Sequence, residues 1–360
     1  MAARQRGPTR QRLVDARHWL SYDGTVLRKV HQGFRWEIAP QFEPLLAEVL
    51  QQPGENVKIS SATIVARCCL AGRTFYVKRY VHEKRGLAPL AYFIRSDKSR
   101  REWTFAAQIQ ARGIAVVPHL AHGERWGWYG LVESVLITEG PSGYVPLLQS
   151  PESQTPELQS TLGRFLRQMH DAGIVYLDIS PKNVLHSASK GEFCLIDVDK
   201  AELHDALTER QRIDHISVFH SRFPLTAAFY DGYGRDMASH ASRIEQRASA
   251  MRRAFIAGVS RRCLNHRHEV ATRRIGGLKW HILISDLDEN LERILHHPDD
   301  AAGNDSGFVV NRFAFHSGKQ AYRRSYGKEL AGEPVPRPVA AADKRVLGFV
   351  VRGYLVTKAP

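Results

Sequence analysis

The sequence predicts an α+β chain built as two lobes, a small β-rich one up to about residue 139 and a larger helical one over 142–270, then a partial second copy of the small lobe over 275–360. Three observations predict this. Lys58 to Cys69 is rich in Ile, Val and Thr, and the apolar strand Val132 to Glu139 closes on Gly140-Pro141, a break suited to a linker between lobes. After the break, Leu162 to Ala172 has the spacing of an amphipathic helix that Gly173 can end. Finally, four short stretches of the first part recur in the same order near the C-terminal end.

Composition narrows the class. Of 360 residues, 43% are hydrophobic and 24% charged, which excludes a disordered, collagenous or coiled-coil chain. No stretch approaches the roughly 18 consecutive apolar residues of a membrane helix. Cys68, Cys69, Cys194 and Cys263 form no C-x-x-C pair and no disulfide framework. The polar start, Met1 to Arg6, leads into no apolar segment, so no secretory leader is expected and the compartment reading is cytoplasmic. A net charge of +14 and a pI near 9.8 point to polyanionic partners: nucleic acid, an anionic membrane surface or phosphorylated substrates. Charge is densest from Arg243 to Arg274, where nine arginines face two acids, the pattern of a helix with a solvated basic face. No zinc-finger spacing or RNA-binding aromatic signature accompanies it, so no specific nucleic acid is expected.

Taken in order, residues 1–29 read as an N-terminal extension. Lys58 to Cys69 and Thr74 to Tyr80 read as two strands joined by a turn over Leu70 to Arg73. Lys78 lies in the second, with Tyr76 and Tyr80 on its own face. A lysine on a strand is ordinarily an edge or solvent residue. Ser99 to Arg112 reads as a helix with Trp103, Ala106, Ala107 and Ile109 near one face and Glu102 in its first turn, where an acid is commonly a dipole partner. Yet a lysine on a strand and a glutamate on the next helix is also how phosphoryl-transfer enzymes hold a phosphate-binding ammonium. The strongest local signal is Asp178 to Asn183, an Asp-x4-Asn flanked by apolar strand-like residues. This is the spacing of a kinase catalytic loop, in which the Asp accepts the acceptor's hydroxyl proton and the Asn reaches a metal on the phosphates. Phe193 to Ile196 is then a strand ending in Asp197-Val198-Asp199, a place where carboxylates hold a hard divalent cation or simply cap a turn.

The repeat pairs Gly33-Phe34-Arg35-Trp36 with Gly277-Leu278-Lys279-Trp280, and Leu50 to Pro53 with Leu295 to Pro298. It also pairs Val77-Lys78-Arg79-Tyr80 with Val310-Asn311-Arg312-Phe313, and Leu136 to Pro141 with Leu355 to Pro360. The offset falls from 244 to 219, so the second copy lacks most of the Lys58 to Thr74 segment and residues between Tyr80 and Arg100. Asn311 takes the position of Lys78, and Ala321 that of Glu102 at the 219 offset, which predicts a lobe without a second nucleotide site.

Residues 30 to 270 resemble the lipopolysaccharide core kinases, the 3-deoxy-manno-octulosonic acid and heptose kinases, which share the protein-kinase-like fold. The matching stretches are Phe75 to Tyr80, Ser99 to Trp103, Gly173 to Asn183 and Leu195 to Ala201. The resemblance implies an ATP-dependent phosphotransferase that moves the γ-phosphate to a sugar hydroxyl of the lipopolysaccharide inner core, with ATP and Mg²⁺ as cofactors. It implies Lys78 and Glu102 as the nucleotide-positioning pair, Asp178 as catalytic base and Asn183 and Asp197 as magnesium ligands. It also implies Glu139 in the interlobe hinge near the adenine; Lys182, four residues after Asp178, is expected to neutralise charge on the transferring group. The partner is an anionic glycolipid or sugar, with peripheral contact at the inner face of the inner membrane as the matching location. The chain departs from the wider kinase pattern in a glycine-free hairpin, Lys58 to Thr63, in Tyr176-Leu177 before the catalytic Asp, in the missing Ala-Pro-Glu and in Pro141 beside Glu139. Two alternative readings therefore stand beside the glycolipid kinase: an atypical protein kinase and a non-enzymatic pseudokinase scaffold.

Overall fold

The computed structural model describes residues 26–60, 62–82, 88–265, 270–299 and 307–359; most of the expected N-terminal extension and Ser61 of the hairpin lie outside them. The chain divides into two compact units, the first ending at Ala248 and the second running Ser249–Pro360. The division falls inside a helix, Ala241–Arg262, upstream of residue 270. The helix leads into Cys263 and Leu264, which share a core with Tyr322, Ala341 and Leu355 and so belong with the second unit.

In the first unit, β1 (Leu27–His31), β2 (Phe34–Ile38), the short helix α1 (Leu46–Gln51), β3 (Glu55–Ile59), β4 (Thr63–Leu70) and β5 (Arg73–Val81) come first. Helix α2 (Lys98–Ala111), β6 (His119–Gly127) and β7 (Gly130–Gly140) follow. The strands form one sheet in the order β1-β2-β6-β7-β5-β4-β3, antiparallel throughout. The single strand expected over Lys58 to Cys69 is two. The amide of Ser60 donates to the Thr63 carbonyl at 2.8 Å and its hydroxyl accepts from the Thr63 amide at 3.1 Å, turning the chain without a glycine or proline. Along β5, Phe75 and Val77 enter a core with Trp36, Phe42, Leu46, Val135 and Ile137. Alternation then sends Tyr76, Lys78 and Tyr80 to the opposite face, toward α2.

The helix α2 begins one residue earlier than its apolar spacing suggests. Asp97 is its N-cap, accepting from the amides of Ser99 (3.2 Å) and Arg100 (2.9 Å). Glu102 therefore stands in the second turn, beyond the reach of a dipole role, and is fully buried with Ala106 and Ile109.

The large lobe holds β8 (Val145–Pro146), α3 (Pro156–Asp171), β9 (Ile174–Tyr176), β10 (Val184–Ser187), β11 (Glu192–Leu195), β12 (Ala201–Leu203), α4 (Glu209–His220) and α5 (Ala227–Tyr233). Small sheets β11-β10-β8 and β12-β9 carry the loops that matter below. Leu162, Leu166, Met169, Ile213, Ile216, Phe219 and Phe229 form the core behind them. Helices α3 and α5 meet at glycines: a Cβ on Gly163 would lie 2.1 Å from the Phe229 carbonyl oxygen.

The second unit contains β13 (Val270–Ile275), β14 (Leu278–Leu283), α7 (Glu289–His296), β15 (Phe308–Ala314), α8 (Gly318–Leu330), β16 (Pro338–Val346) and β17 (Phe349–Lys358), after α6 (Ala241–Arg262). Its sheet order is β13-β14-β16-β17-β15. Leu291, Ile294 and Leu295 of α7 pack with Trp280, Ile282 and Val356, while Tyr322 of α8 packs with Ala341 and Leu355, which alternation places on the other sheet face. Among the described residues, no helix is long and apolar enough to cross a membrane.

Candidate active site

Lys78 sits in register between Val65 of β4 and Leu136 of β7, so its backbone is fixed on both sides. Its side chain is only 13% exposed, and an ammonium so placed must be paired. Glu102 Oε1 lies 2.8 Å from its Nζ, and the Asp197 carboxylate contacts the same nitrogen. These partners come from 24 and 119 residues away. Burial works against the charged ammonium, but Glu102 and Asp197 outweigh it and hold Lys78 above the usual lysine range. Burial likewise opposes the Glu102 carboxylate, yet Lys78 and His119 bring its pKa down to about 2. The pair is ionised across the physiological range.

The loop after β9 carries Asp178, Lys182 and Asn183. The Tyr176 hydroxyl donates to the carbonyl oxygen of Asp197 at 2.8 Å and lies 3.1 Å from that of Ile196. It accepts from Asn183 Nδ2 at 2.8 Å. Asp197 has left-handed backbone angles, φ 57° and ψ 39°, a conformation that costs a non-glycine residue about 1 kcal/mol or more. The tyrosine that stands where the kinase pattern usually has a histidine thus ties the Asp178–Asn183 loop to the strained turn. Beneath it, His215 Nε2 lies 3.1 Å from the Tyr176 amide nitrogen. His215 Nδ1 lies 2.7 Å from His170 Nε2, and His170 Nδ1 2.7 Å from the Tyr233 hydroxyl. His215 Nε2 also lies 3.0 Å from the Tyr176 carbonyl oxygen, so the chain of bonds can run in either direction, and in both each imidazole donates from one nitrogen and accepts at the other, as a neutral ring does. Burial agrees, pushing His215 down to about 4 and His170 well below its usual value.

Asp178 lies at the loop surface with two cations on it: Lys200 Nζ at 2.8 Å from one carboxylate oxygen and Arg222 Nη1 at 3.3 Å from the other. Burial would raise this acid, but the two cations prevail and lower its pKa. Lys182 is exposed, and among the described residues no acid pairs with it. Glu139 stands opposite Phe75 in the sheet, its carboxylate held by Arg73 Nε at 2.8 Å and Nη2 at 2.7 Å and its amide donating to the Pro118 carbonyl at 2.9 Å. Its side chain is thus engaged within the small lobe, and a contact with a base would fall to main-chain atoms. Asp199 is buried against the start of α2, 3.7 Å from Lys98 and 3.9 Å from Arg101, and burial raises its pKa.

The donor set fits a hard divalent ion. Asn183 uses its Nδ2 on Tyr176 and, at 3.3 Å, on the Asp178 carbonyl, which leaves Oδ1 as the outward ligand atom. Asp197 uses one oxygen on Lys78, and its side chain is 43% exposed. One carboxylate and one amide oxygen, completed by phosphates and water, is a magnesium-type environment.

Lys78, Glu102 and Asp197 are brought into direct contact, with Asn183 joined to Asp197 through Tyr176. Asp178 stands on the same loop as Asn183. Sequence reading missed Lys200 and Arg222, which lie in irregular segments with no periodicity to mark them. Tyr176 gave a signal, as the departure from the usual His-Arg, but its role needed the structure.

The family profile described as lipopolysaccharide kinase (Kdo/WaaP) matches residues 45–230. None of the curated proteins matches the chain. Similar solved structures include "WaaP in complex with acyl carrier protein", 20% identical with a TM-score of 0.45 over 60% of this chain and 98% of that one. Another is an aminoglycoside-3'-phosphotransferase of type VIII, 17% identical with a TM-score of 0.40 over 59% of this chain and 98% of that one.

Proposed function

The chain belongs to the lipopolysaccharide kinase (Kdo/WaaP) family and is a kinase, and from that premise we propose that it transfers the γ-phosphate of ATP to a hydroxyl of an inner-core lipopolysaccharide sugar. The observation that carries the reading is the Lys78 ammonium held between Glu102 and Asp197, charges drawn from a strand, a helix and a turn to one point. No structural need asks for it, because a buried ion pair is weak support for stability. In this reading Lys78, fixed by Glu102, binds nucleotide phosphates. Asp197 and Asn183 would hold Mg²⁺, which supplies charge neutralisation on the phosphates when bound. Asp178 takes the hydroxyl proton, and Lys182 faces the transferring group from the loop surface. Glu139 and Gly140 form the hinge side of the nucleotide site through main-chain atoms. Leu177 stands where a regulated protein kinase keeps an arginine, and it is 54% exposed with no charge to dock a phosphorylated loop, so an acceptor other than protein is favoured. An acceptor anchored at a membrane surface would bring this basic protein, net charge +14, to the anionic leaflet peripherally. The test is transfer of label from [γ-³²P]ATP to purified inner-core sugars and to peptides. Labelled sugar that disappears in Asp178→Asn supports the reading, and labelled peptide alone would contradict it.

We further propose that the second unit is a degenerate copy of the small lobe. Removing β3 and β4 from the first sheet leaves β1-β2-β6-β7-β5, the order of β13-β14-β16-β17-β15. The registers agree as well. Lys78 pairs with Leu136 and Val77 with Ile137, as Asn311 pairs with Leu355 and Val310 with Val356. Trp36 pairs with Gly123 and Ile38 with Ala121, as Trp280 pairs with Ala342 and Ile282 with Ala340. Aligning the helix N-caps, Asp97 and Ser317, moves the helix offset to 220 and puts Tyr322 rather than Ala321 at the place of Glu102.

A further inference from the structure

The surroundings of Asp178 pose a problem for a proton acceptor. Both of its carboxylate oxygens already face a cation, Lys200 on one and Arg222 on the other. Charge-assisted pairs of this kind take up lone pairs on both oxygens that a hydroxyl proton would otherwise reach. Neither cation is fully used by the contact. Arg222 is anchored through Nη1, which also donates to the Ile179 carbonyl at 2.9 Å, so its fork is oriented before any ligand arrives. Lys200 has three donors and is 52% exposed, and Arg222 is 40% exposed. Two cations therefore accompany one carboxylate on this side of the site. On the nucleotide side the balance is reversed, since one ammonium, Lys78, meets two carboxylates. The nucleotide side is thus built for a cation, and the Asp178 side for an anion that is not ATP.

We propose that Lys200 and Arg222 form the receptor for an anionic group of the acceptor sugar, a carboxylate or a phosphate ester already on it, and that this group draws them off Asp178. The inference rests on the kinase reading of the same site. Before the acceptor binds, the pair keeps Asp178 occupied. As the acceptor anion takes the cations, Asp178 regains a free oxygen and accepts the proton of the neighbouring hydroxyl. The acceptor O–P bond then forms while the bond from the γ-phosphorus to the bridging oxygen breaks, and ADP leaves. A neutral sugar would meet an unreleased base and two unpaired cations, so discrimination is built into the chemistry.

The test compares 3-deoxy-octulosonic acid with its methyl ester, and a sugar phosphate with its parent sugar, as acceptors for the intact chain and for Lys200→Gln, Arg222→Gln and Arg222→Lys. The wild type is expected to show a KM about tenfold or more lower for the acid, or for the phosphate, than for the neutral member, the range of a charge-assisted contact. Whichever pair discriminates identifies the anion. Both glutamine variants should bring that ratio near one. Arg222→Lys should keep most of the discrimination. Equal KM for acid and ester and for phosphate and parent, or ratios unchanged in both glutamine variants, would overturn the proposal. Acceptor binding without ATP, read by saturation-transfer NMR, separates this failure from that of the kinase reading. With no transfer to any sugar the kinase reading falls. In that case acid or phosphate binding lost in Arg222→Gln still supports the anion receptor, and binding that is absent or indifferent to the substitution overturns it too.

Discussion

Compared strand by strand, five of the seven strands of the first sheet share order and register with the second sheet, but the two differ in what the frame carries. In the first, β5 offers Lys78 and α2 answers with Glu102, at 2.8 Å. At the matching register of the second stands Asn311, which is exposed, and the corresponding helix position holds the buried Tyr322. The apolar parts stay alike: Trp36 is 2% exposed and Trp280 0%, each pressed on a small residue of the neighbouring strand. Even the supporting polar pairs differ. Arg100 bridges Glu37 at 2.7 Å and Glu124 at 3.1 Å in the first unit. In the second, Asp343 takes the position of Glu124 by register and accepts instead from the Ser317 hydroxyl at 2.9 Å. If the second unit is a copy of the small lobe, as proposed, the tryptophan-centred core is the part the two retain, and the Lys78 cluster belongs to the first alone. Taking two charges out of water costs several kcal/mol, so a lobe without the task does better with an amide and a phenol ring.

The largest expected effect separates the lobes by chemistry. Asp178→Asn should slow phosphoryl transfer by about 10²- to 10⁴-fold while leaving ATP affinity nearly intact, since it removes only the proton acceptor. Single-turnover kinetics beside equilibrium binding checks this. Asp197→Ala should instead weaken Mg-ATP binding itself. Trp36→Ala and Trp280→Ala come next and should destabilise their own units by about 3–5 kcal/mol each, read by denaturant melting with hydrogen exchange to locate the loss. A much smaller cost at Trp280 would break the likeness of the two cores.

Acidification should distinguish the units in a third way. His215 has its pKa depressed by burial from 6.5 to about 4, so the unfolded chain binds more protons than the folded one between these values. Its contribution is complete above the unfolded pKa and is lost as pH falls toward the folded one. At about pH 4.5 the first unit should have lost on the order of 2–3 kcal/mol relative to neutrality. His215→Phe should flatten that slope even if it lowers stability at neutral pH, and an unchanged slope would contradict the neutral-pair assignment. The smallest effect belongs to Tyr176→Phe, which removes hydrogen bonds to Asn183 and to the left-handed Asp197. At about 1 kcal/mol per bond, transfer should fall by about thirtyfold and recover partly at raised magnesium.

Much of the site was legible because its chemistry is tied to spacing. Asp178 and Asn183 must be one loop apart, and Lys78 must stand on a strand before a helix that bears Glu102. The turn at Ser60–Thr63 was not, because it is made by a serine hydroxyl and offers no glycine or proline to read. Placing the start of α2 at Ser99 hid the Asp97 cap and put Glu102 in the wrong turn. Lys200 and Arg222 were illegible for a deeper reason: they are brought to Asp178 across 22 and 44 residues by tertiary folding, with no local pattern to require them. In the second unit, the repeat alone pairs Asn311 with Lys78, whereas the proposed helix partner depends on whether the 219 offset or the N-caps are aligned.

The central claim is that a shared frame carries one nucleotide site, at Lys78. Isothermal calorimetry of Mg-ATP on the intact chain, on Lys78→Ala and on Asn311→Ala tests it directly. One equivalent bound by the wild type, none by Lys78→Ala and an unchanged isotherm for Asn311→Ala are the expected results. Two equivalents, or binding that survives Lys78→Ala, would contradict the account.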